Sequence, residues 1–232
     1  MTGFDIEIKN ALLRMGADVA GFGDLRELPE DTRESLPTGV CVAVAYPPAV
    51  IRGISDLPTR EYREWYDTLN VKLDTIVTDG AGLLRAMGYN AVAQTREYVG
   101  SGEKNDNTAL PHKTVATRAG VGWIGKCALL VTKDYGSAVR LSSILTDAPL
   151  TTTAPVNTSG CGDCTACADA CPGRAVSGLA WNVNLYRDAF FDPVKCRVTA
   201  RERARQGFGG EMTICGKCIE VCPYTRRYTR GI

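Results

Sequence analysis

The first two thirds of the chain alternate between two hydrophobic periodicities. Apolar residues recur every three or four positions over 5–16 and over 60–87, which predicts two amphipathic helices, with Gly80 as a candidate break in the second. Residues 40–46 (VCVAVAY) are continuously apolar, as is typical of a strand buried on both faces. Further runs that predict strands lie at 18–22, 89–93, 128–132 and 138–145. The pattern therefore predicts an α/β body.

A change in composition follows near residue 150. Residues 149–160 (PLTTTAPVNTSG) are rich in Thr, Pro, Ser and Gly, a composition typical of a linker. Eight of the 10 cysteines come after it. A chain of 232 residues that is 44% hydrophobic and 23% charged is neither disordered nor collagen-like. We expect an α+β protein with a body over 1–150 and a cysteine-rich domain over 151–232.

Charge and hydropathy exclude several classes of protein. No apolar run reaches 18 residues and the first residues (MTGFD) do not form a signal peptide, so we expect a cytoplasmic protein with no membrane partner. A formal net charge of +1 excludes a strongly basic nucleic-acid binder. The charge is uneven, at −5 over 1–194 and +6 over 195–232. Because His112 is the only histidine, histidine-rich metal sites are excluded.

The cysteine spacing is the strongest chemical signal. The run C-x2-C-x2-C-x3-C-P from Cys161 to Cys171 is the one in which bacterial ferredoxins bind one 4Fe-4S cluster with three thiolates and a second cluster with the fourth. A second set comprises Cys196, Cys215, Cys218 and Cys222. Since a cubane cluster needs four thiolates, eight cysteines suffice for two clusters. We assign Cys161, Cys164, Cys167 and Cys222 to the first cluster, and Cys171, Cys196, Cys215 and Cys218 to the second.

Zinc ligation is another interpretation of the motif cysteines, and two further cysteines lie outside the motifs. Structural zinc sites also take four thiolates from paired C-x2-C elements, although three successive x2 spacings that end in Cys-Pro suit a cubane better. Cys41 and Cys127 lie in the apolar runs VCVAVA and KCALLV. Free cysteine packs as a small hydrophobe, so we interpret these two as inert core residues.

A glycine-rich loop occupies 119–126 (AGVGWIGK). It contains G-x-G-x-x-G, but a helical pattern precedes it and a strand pattern follows, the reverse of a dinucleotide-binding turn. We favour close approach of this backbone to a large flat ligand, with Trp123 and Lys126 beside it. The alternative is a glycine turn packed in the core.

The glycine loop, the stretch 145–150 (LTDAPL) and the doubled cysteine motif together resemble the epoxyqueuosine reductases, a family similar to the reductive dehalogenases. The resemblance implies a nitroreductase-like body that binds base-off cobalamin without a histidine ligand, followed by a ferredoxin-like double-cluster domain. It implies an oxidoreductase that receives electrons from a donor such as ferredoxin or flavodoxin and passes them through the clusters to the corrinoid and on to a substrate. The implied cobalamin-binding residues are Gly120, Gly122, Trp123, Gly125 and Lys126.

The resemblance also implies a proton donor upstream of the glycine loop. Counting back from Gly120 without gaps reaches Asp106, although Pro111 follows that aspartate by five residues where the family has three. The rival is His112, whose type of side chain titrates near neutrality. The alternative for each is an ordinary role, as a solvated loop aspartate or a structural histidine.

The substrate and the function class stay open at this point. The family's tRNA-modifying members continue into helical repeats, whereas this sequence stops nine residues after Pro223 and its body is net negative. We therefore expect a short form whose partner is a small molecule or a protein, and we do not expect efficient action on intact tRNA. The alternatives are an electron-transfer partner of another redox or corrinoid protein, and a flavin-dependent reductase on the same body.

Overall fold

The structure is a computed structural model that describes residues 1–100 and 108–231. It divides into two compact units. One, the sheet unit, comprises Met1–Val44, Leu69–Gly122 and Arg140–Val156. The other, the cysteine unit, comprises Ala45–Thr68, Trp123–Val139 and Asn157–Ile232. The sequence-based division into 1–150 and 151–232 follows chain order, whereas each compact unit combines three separate segments.

The sheet unit is built on a four-stranded sheet. Its strands are β1 (Val19–Asp24), β2 (Thr38–Ala45), β3 (Ala91–Ala93) and β6 (Val139–Thr146), in the order β1-β2-β6-β3. Strands β1 and β2 pair antiparallel with Val19 opposite Ala43, and β3 and β6 pair antiparallel with Ala91 opposite Thr146. Every residue of β2 except its last is buried, as the continuous apolar run predicts.

The helices of the sheet unit are α1 (Gly3–Arg14), α4 (Arg96–Val99), α5 (His112–Arg118) and the greater part of α3 (Arg60–Ala86). Helices α1 and α5 both contact β1, whereas α4 buries none of its residues. Helix α3 is continuous through Gly80, where a Cβ would lie 2.8 Å from both Leu12 and Ile144. The glycine at this position permits close packing and does not break the helix.

Helix α1 begins with a capping box. The Asp5 amide donates to the Thr2 hydroxyl at 3.2 Å, and the Thr2 amide donates to the Asp5 carboxylate. The Thr151 amide donates to the same carboxylate at 2.8 Å. Burial of Asp5 opposes ionisation, but the hydrogen bonds from Thr151 and Thr2 prevail and lower its pKa from 3.8 to about 2. An ionised Asp5 therefore ties the helix start to the segment at 151.

The cysteine unit consists of short elements around a small core. Its elements are α2 (Pro48–Arg52), β4 (Trp123–Ile124), β5 (Leu130–Val131), α6 (Ala166–Asp169), α7 (Arg187–Phe190), α8 (Pro193–Phe208), α9 (Lys217–Glu220) and α10 (Pro223–Arg230), together with the first residues of α3. One apolar cluster joins Ile124, Ala128, Trp181 and Phe190. The predicted strand over 128–132 is reduced to Leu130–Val131 because Ala128 has a φ of +61°, outside the strand region.

Helices of the described residues show no membrane-spanning candidate. None of them combines the length and the apolar run that crossing a bilayer would require.

Candidate iron-sulfur cluster site

The first four predicted ligands lie on a turn and a short helix of the cysteine unit. In the turn, the Cys164 amide donates to the Cys161 carbonyl at 3.2 Å. Gly162 within it has a φ of +52°, a conformation that favours glycine. Cys167 lies in α6 and Cys171 comes just after that helix. All four side chains are half-buried, so none is sealed in the core.

The second motif presents its cysteines in a similar way. Cys196 lies in α8, and Cys218 lies in α9 just after Gly216, which has a φ of +76°. Cys222 is the N-cap of α10, and Pro223 begins that helix, where an amide N–H has no partner in the helix. These cysteines are also half-buried. Short helices separated by left-handed residues thus bring both motifs into one unit.

A cavity of about 270 Å³ in the cysteine unit is lined largely by cysteine. The ligands predicted for the first cluster all line it, namely Cys161, Cys164, Cys167 and Cys222. Cys218 and Cys127 line it as well, and the other walls include Lys126, Val131 and Arg227. The four cysteines that the spacing assigns to the first cluster thus line one cavity, and its sulfur donors suit a thiolate-ligated cluster.

The effects of neighbouring thiols on pKa show which other cysteines are close together. Burial raises the pKa of Cys196 to about 11, with contributions from Cys171 and Cys215. Burial also raises the pKa of Cys222, with a smaller contribution from Cys161. Iron binding displaces such thiol protons, so adjacent protonated cysteines are a suitable starting point for cluster assembly.

Each cysteine group has N–H donors aimed at sulfur. The Trp123 indole donates to Cys161 Sγ at 3.4 Å. In the other group, the Arg203 guanidinium donates to Cys215 Sγ at 3.1 Å and the Ala175 amide donates to Cys171 Sγ at 3.3 Å. Hydrogen bonds to the sulfurs are among the determinants of cluster potential. These contacts therefore place N–H donors where they could tune a bound cluster.

Lys126 places a buried positive charge in the cavity. Its side chain is only 6% exposed. It lines the same cavity as Cys161, Cys164 and Cys167. Thiolates that bind a cluster there would supply a counter-charge to its ammonium group. Lys126 therefore fits an anionic cluster.

The two cysteines predicted to be inert differ from each other. Cys41 is fully buried in β2, and burial raises its pKa to about 12. Cys127 is also buried, but it lines the cysteine cavity together with Cys167 and Cys218. A hydrogen bond that the Cys167 thiol donates to Cys127 is the largest of the factors that raise the pKa of Cys167. Sequence reasoning missed this placement, because an apolar run does not reveal which cavity a side chain lines.

The glycine loop packs against the chain itself at the two positions where the structure shows its surroundings. Gly120 has a φ of +64°, and a Cβ there would lie 3.1 Å from the Ala154 carbonyl oxygen. At Gly125 a Cβ would lie 2.8 Å from Val131. A side chain at either position would therefore meet the chain itself, although Gly120 also lines a cavity of about 250 Å³ and Gly125 lines the cysteine cavity. The role of the loop in cobalamin binding stays a prediction.

The five residues implied to bind cobalamin fall in two places. Gly120 and Gly122 belong to the sheet unit, whereas Trp123, Gly125 and Lys126 belong to the cysteine unit. Gly125 and Lys126 line the cysteine cavity, and Trp123 contacts Cys161. The structure thus places this part of the loop at the first cysteine group.

The two candidate proton donors have different outcomes. Asp106 lies outside the described residues. His112 begins α5, and its Nδ1 lies 2.9 Å from the Ser143 hydroxyl. Burial, assisted by the nearby charge of Arg140, lowers the pKa of His112 to about 4, although Asp74 opposes this. At neutral pH His112 is therefore neutral and carries no imidazolium proton to give.

Known proteins are similar to this chain over most of its length. A family described as a 4Fe-4S double cluster binding domain matches residues 160–225, which include all eight predicted ligands. An epoxyqueuosine reductase of Lactococcus garvieae (strain Lg2) is 28% identical over 215 residues, which cover 88% of this chain and 56% of the relative. The chain thus spans about half the length of this curated relative.

Solved structures share the fold. A catabolic reductive dehalogenase matches 96% of this chain and 32% of its own, with a TM-score of 0.74 at 19% identity. An epoxyqueuosine reductase solved with an epoxyqueuosine-modified tRNA-Tyr stem loop matches 96% of this chain and 65% of its own, with a TM-score of 0.63 at 22% identity. The predicted α+β fold class and the predicted resemblance are confirmed.

The family match decides between the zinc and the iron-sulfur interpretation of these cysteines. A 4Fe-4S double cluster binding domain covers residues 160–225, and it supports iron-sulfur clusters there.

Proposed function

Because the chain is homologous to epoxyqueuosine reductases and carries a 4Fe-4S double cluster binding domain, we propose that it is an oxidoreductase that delivers electrons to a corrinoid and on to a substrate. The observation that carries the proposal is the pairing of a cysteine-lined cavity with an indole N–H, that of Trp123, directed at one of its sulfurs. Two 4Fe-4S clusters, when bound, supply one-electron transfer.

The chain's own residues prepare the first site for a more negative cluster. Lys126 supplies a buried positive charge, and the Trp123 indole N–H donates to the sulfur of Cys161. Val131 and Pro223 contribute apolar walls that exclude water. In such a setting, fixed charges and dipoles act more strongly than they would in water. The positive charge of Lys126 and the N–H donor of Trp123 therefore both favour the reduced state of the cluster.

The corrinoid is supported by a likeness of fold. A solved reductive dehalogenase whose description concerns B12-dependent dehalogenation matches 94% of this chain, with a TM-score of 0.72 at 19% identity. The cobalamin-binding residues that the resemblance implies in the glycine loop stay a prediction.

The electron donor is proposed from charge. Residues 195–232 carry a net charge of +6, and the arginines of α10 are part of it. An acidic one-electron carrier such as ferredoxin or flavodoxin complements this charge, and complementary charges increase the rate of encounter. For the acceptor we propose a small molecule or a protein, since the net −5 of residues 1–194 disfavours many phosphate contacts with tRNA.

A second candidate function is electron transfer to a separate redox or corrinoid protein, with no cofactor besides the clusters. The net charge of +6 over residues 195–232 favours it, because a small basic segment suits the docking of an acidic redox protein. The same cluster site serves both candidates.

One experiment tests the proposal and separates the two candidates. Protein purified anaerobically is assayed for iron, sulfide and zinc, and is then titrated with cobalamin while visible and EPR spectra are recorded. We expect about eight irons and eight sulfides per chain and a base-off cobalamin that the reduced clusters reduce further. Full clusters without cobalamin binding would favour the second candidate. Stoichiometric zinc without sulfide would overturn both.

A further inference from the structure

Cys127 is a ninth cysteine at a site that requires eight. Its side chain is 5% exposed and lines the same cavity as the four cysteines of the first group. Cys167 and Cys218 line this cavity too. A Cβ on Gly125 would lie 3.6 Å from the sulfurs of both Cys127 and Cys161, so these two sulfurs face the same small region. The thiol therefore lies within the ligand set.

A tight turn holds Cys127 in this position. The Ala128 amide donates to the Gly125 carbonyl at 2.9 Å, and the Gly125 amide donates to the Leu129 carbonyl at 2.8 Å. Ala128 adopts a φ of +61°, a conformation that a non-glycine residue adopts only where its surroundings demand it. The turn thus fixes the backbone on both sides of Cys127.

The number of ligands leaves Cys127 without an iron to bind. Two cubane clusters take eight thiolates, and the two cysteine motifs supply all eight. A thiol that faces ligand sulfurs without binding iron still has its S–H proton, which is a weak hydrogen-bond donor. Thiolates bound to iron have no proton to donate, so the proton of such a contact must come from Cys127.

We propose that Cys127 is a positioning residue whose S–H donates a hydrogen bond to a ligand sulfur of the first cluster and thereby raises the reduction potential of that cluster. The proposal rests on the iron-sulfur function proposed above. Reduction adds negative charge to the cluster, and a donor to a ligand sulfur stabilises that state more than the oxidised state. Cys218, a ligand predicted for the second cluster, lines the same cavity. A smaller effect on the second cluster follows from this proximity.

The test is an EPR-monitored redox titration of the full chain, with iron and sulfide measured for every sample. Cys127→Ala and Cys127→Val both remove the S–H, and the valine keeps the space filled. Cys127→Ser keeps a donor. Cys41→Ala is the matched control, because Cys41 is equally buried but lies in β2 of the sheet unit.

We expect both apolar variants to retain about eight irons and to lower the midpoint potential of the first cluster. The serine variant should stay closer to wild type, and Cys41→Ala should not shift either cluster. An unshifted or raised first potential in both apolar variants would overturn the role of Cys127. So would loss of about four irons in all three Cys127 variants, which would make Cys127 a ligand. A wild-type protein without iron and sulfide would instead refute the proposed function itself.

Discussion

The sheet unit and the cysteine unit are stabilised by different means. In the sheet unit, β2 is buried along nearly its whole length and long helices cover the sheet with apolar faces. In the cysteine unit, α6, α7 and α9 each have only four residues, and eight half-buried cysteines lie around a small apolar core. Isolated helices of this length are unstable in water. The contrast teaches that hydrophobic burial suffices for the first unit, whereas the second relies on its clusters.

Removal of the clusters should have the largest effect, and it should destabilise the cysteine unit much more than the sheet unit. Anaerobic chelation of iron should greatly accelerate amide hydrogen exchange in α6, α9 and α10 and leave β2 and β6 protected, because cluster binding contributes to folding. Hydrogen exchange with mass spectrometry measures both regions in one sample. Equal loss of protection in β2 would show that the sheet also depends on iron.

Loss of a single ligand should have the next largest effect, confined to one cluster. Cys171→Ser should reduce the iron content by about half and remove the EPR signal of the second cluster, because the last cysteine of the first run binds the second cluster. Iron analysis and EPR test this, with Cys41→Ser as the buried control. Loss of the first signal instead would invert the assignment.

Acid should weaken the sheet unit through one carboxylate. The pKa of Asp5 is lowered to about 2, so its ionised form stabilises the folded state above about pH 4, and that stabilisation is lost as the pH falls towards 2. Asp5→Asn should destabilise α1 by about 1 kcal/mol at neutral pH, as expected for a lost helix cap.

Hydrogen exchange of α1 at matched pH in the two proteins measures this effect. The difference between wild type and Asp5→Asn should shrink below pH 4. A difference that stays constant down to pH 2 would contradict the role of the ionised carboxylate.

The smallest effect should come from the buried charge of the cysteine cavity. Lys126→Met should lower the potential of the first cluster and leave the second nearly unchanged, because it removes a positive charge beside the first group of thiolates. Lys133→Met is the matched control, since Lys133 lies in the same unit and is exposed. Equal shifts in both variants would show that net charge, and not burial, sets the potential.

Several features could be predicted from the sequence alone. The apolar periodicity predicted α3 to within a residue, and the continuous run at 40–46 predicted β2, because both patterns reflect which face of an element is buried. Cysteine spacing predicted a double-cluster domain, since short intervals place thiolates within reach of one cluster. These are local properties of the chain.

Tertiary structure decided what each local feature contacts. Gly80 looked like a candidate break in α3 but lies where Leu12 and Ile144 leave no room for a Cβ. Cys127 and Cys41 both occupy apolar runs, yet only Cys127 reaches the ligand cysteines, because the left-handed Ala128 turns the chain there. Periodicity records that a side chain is buried, whereas its neighbours depend on segments far away in sequence, which only the fold brings together.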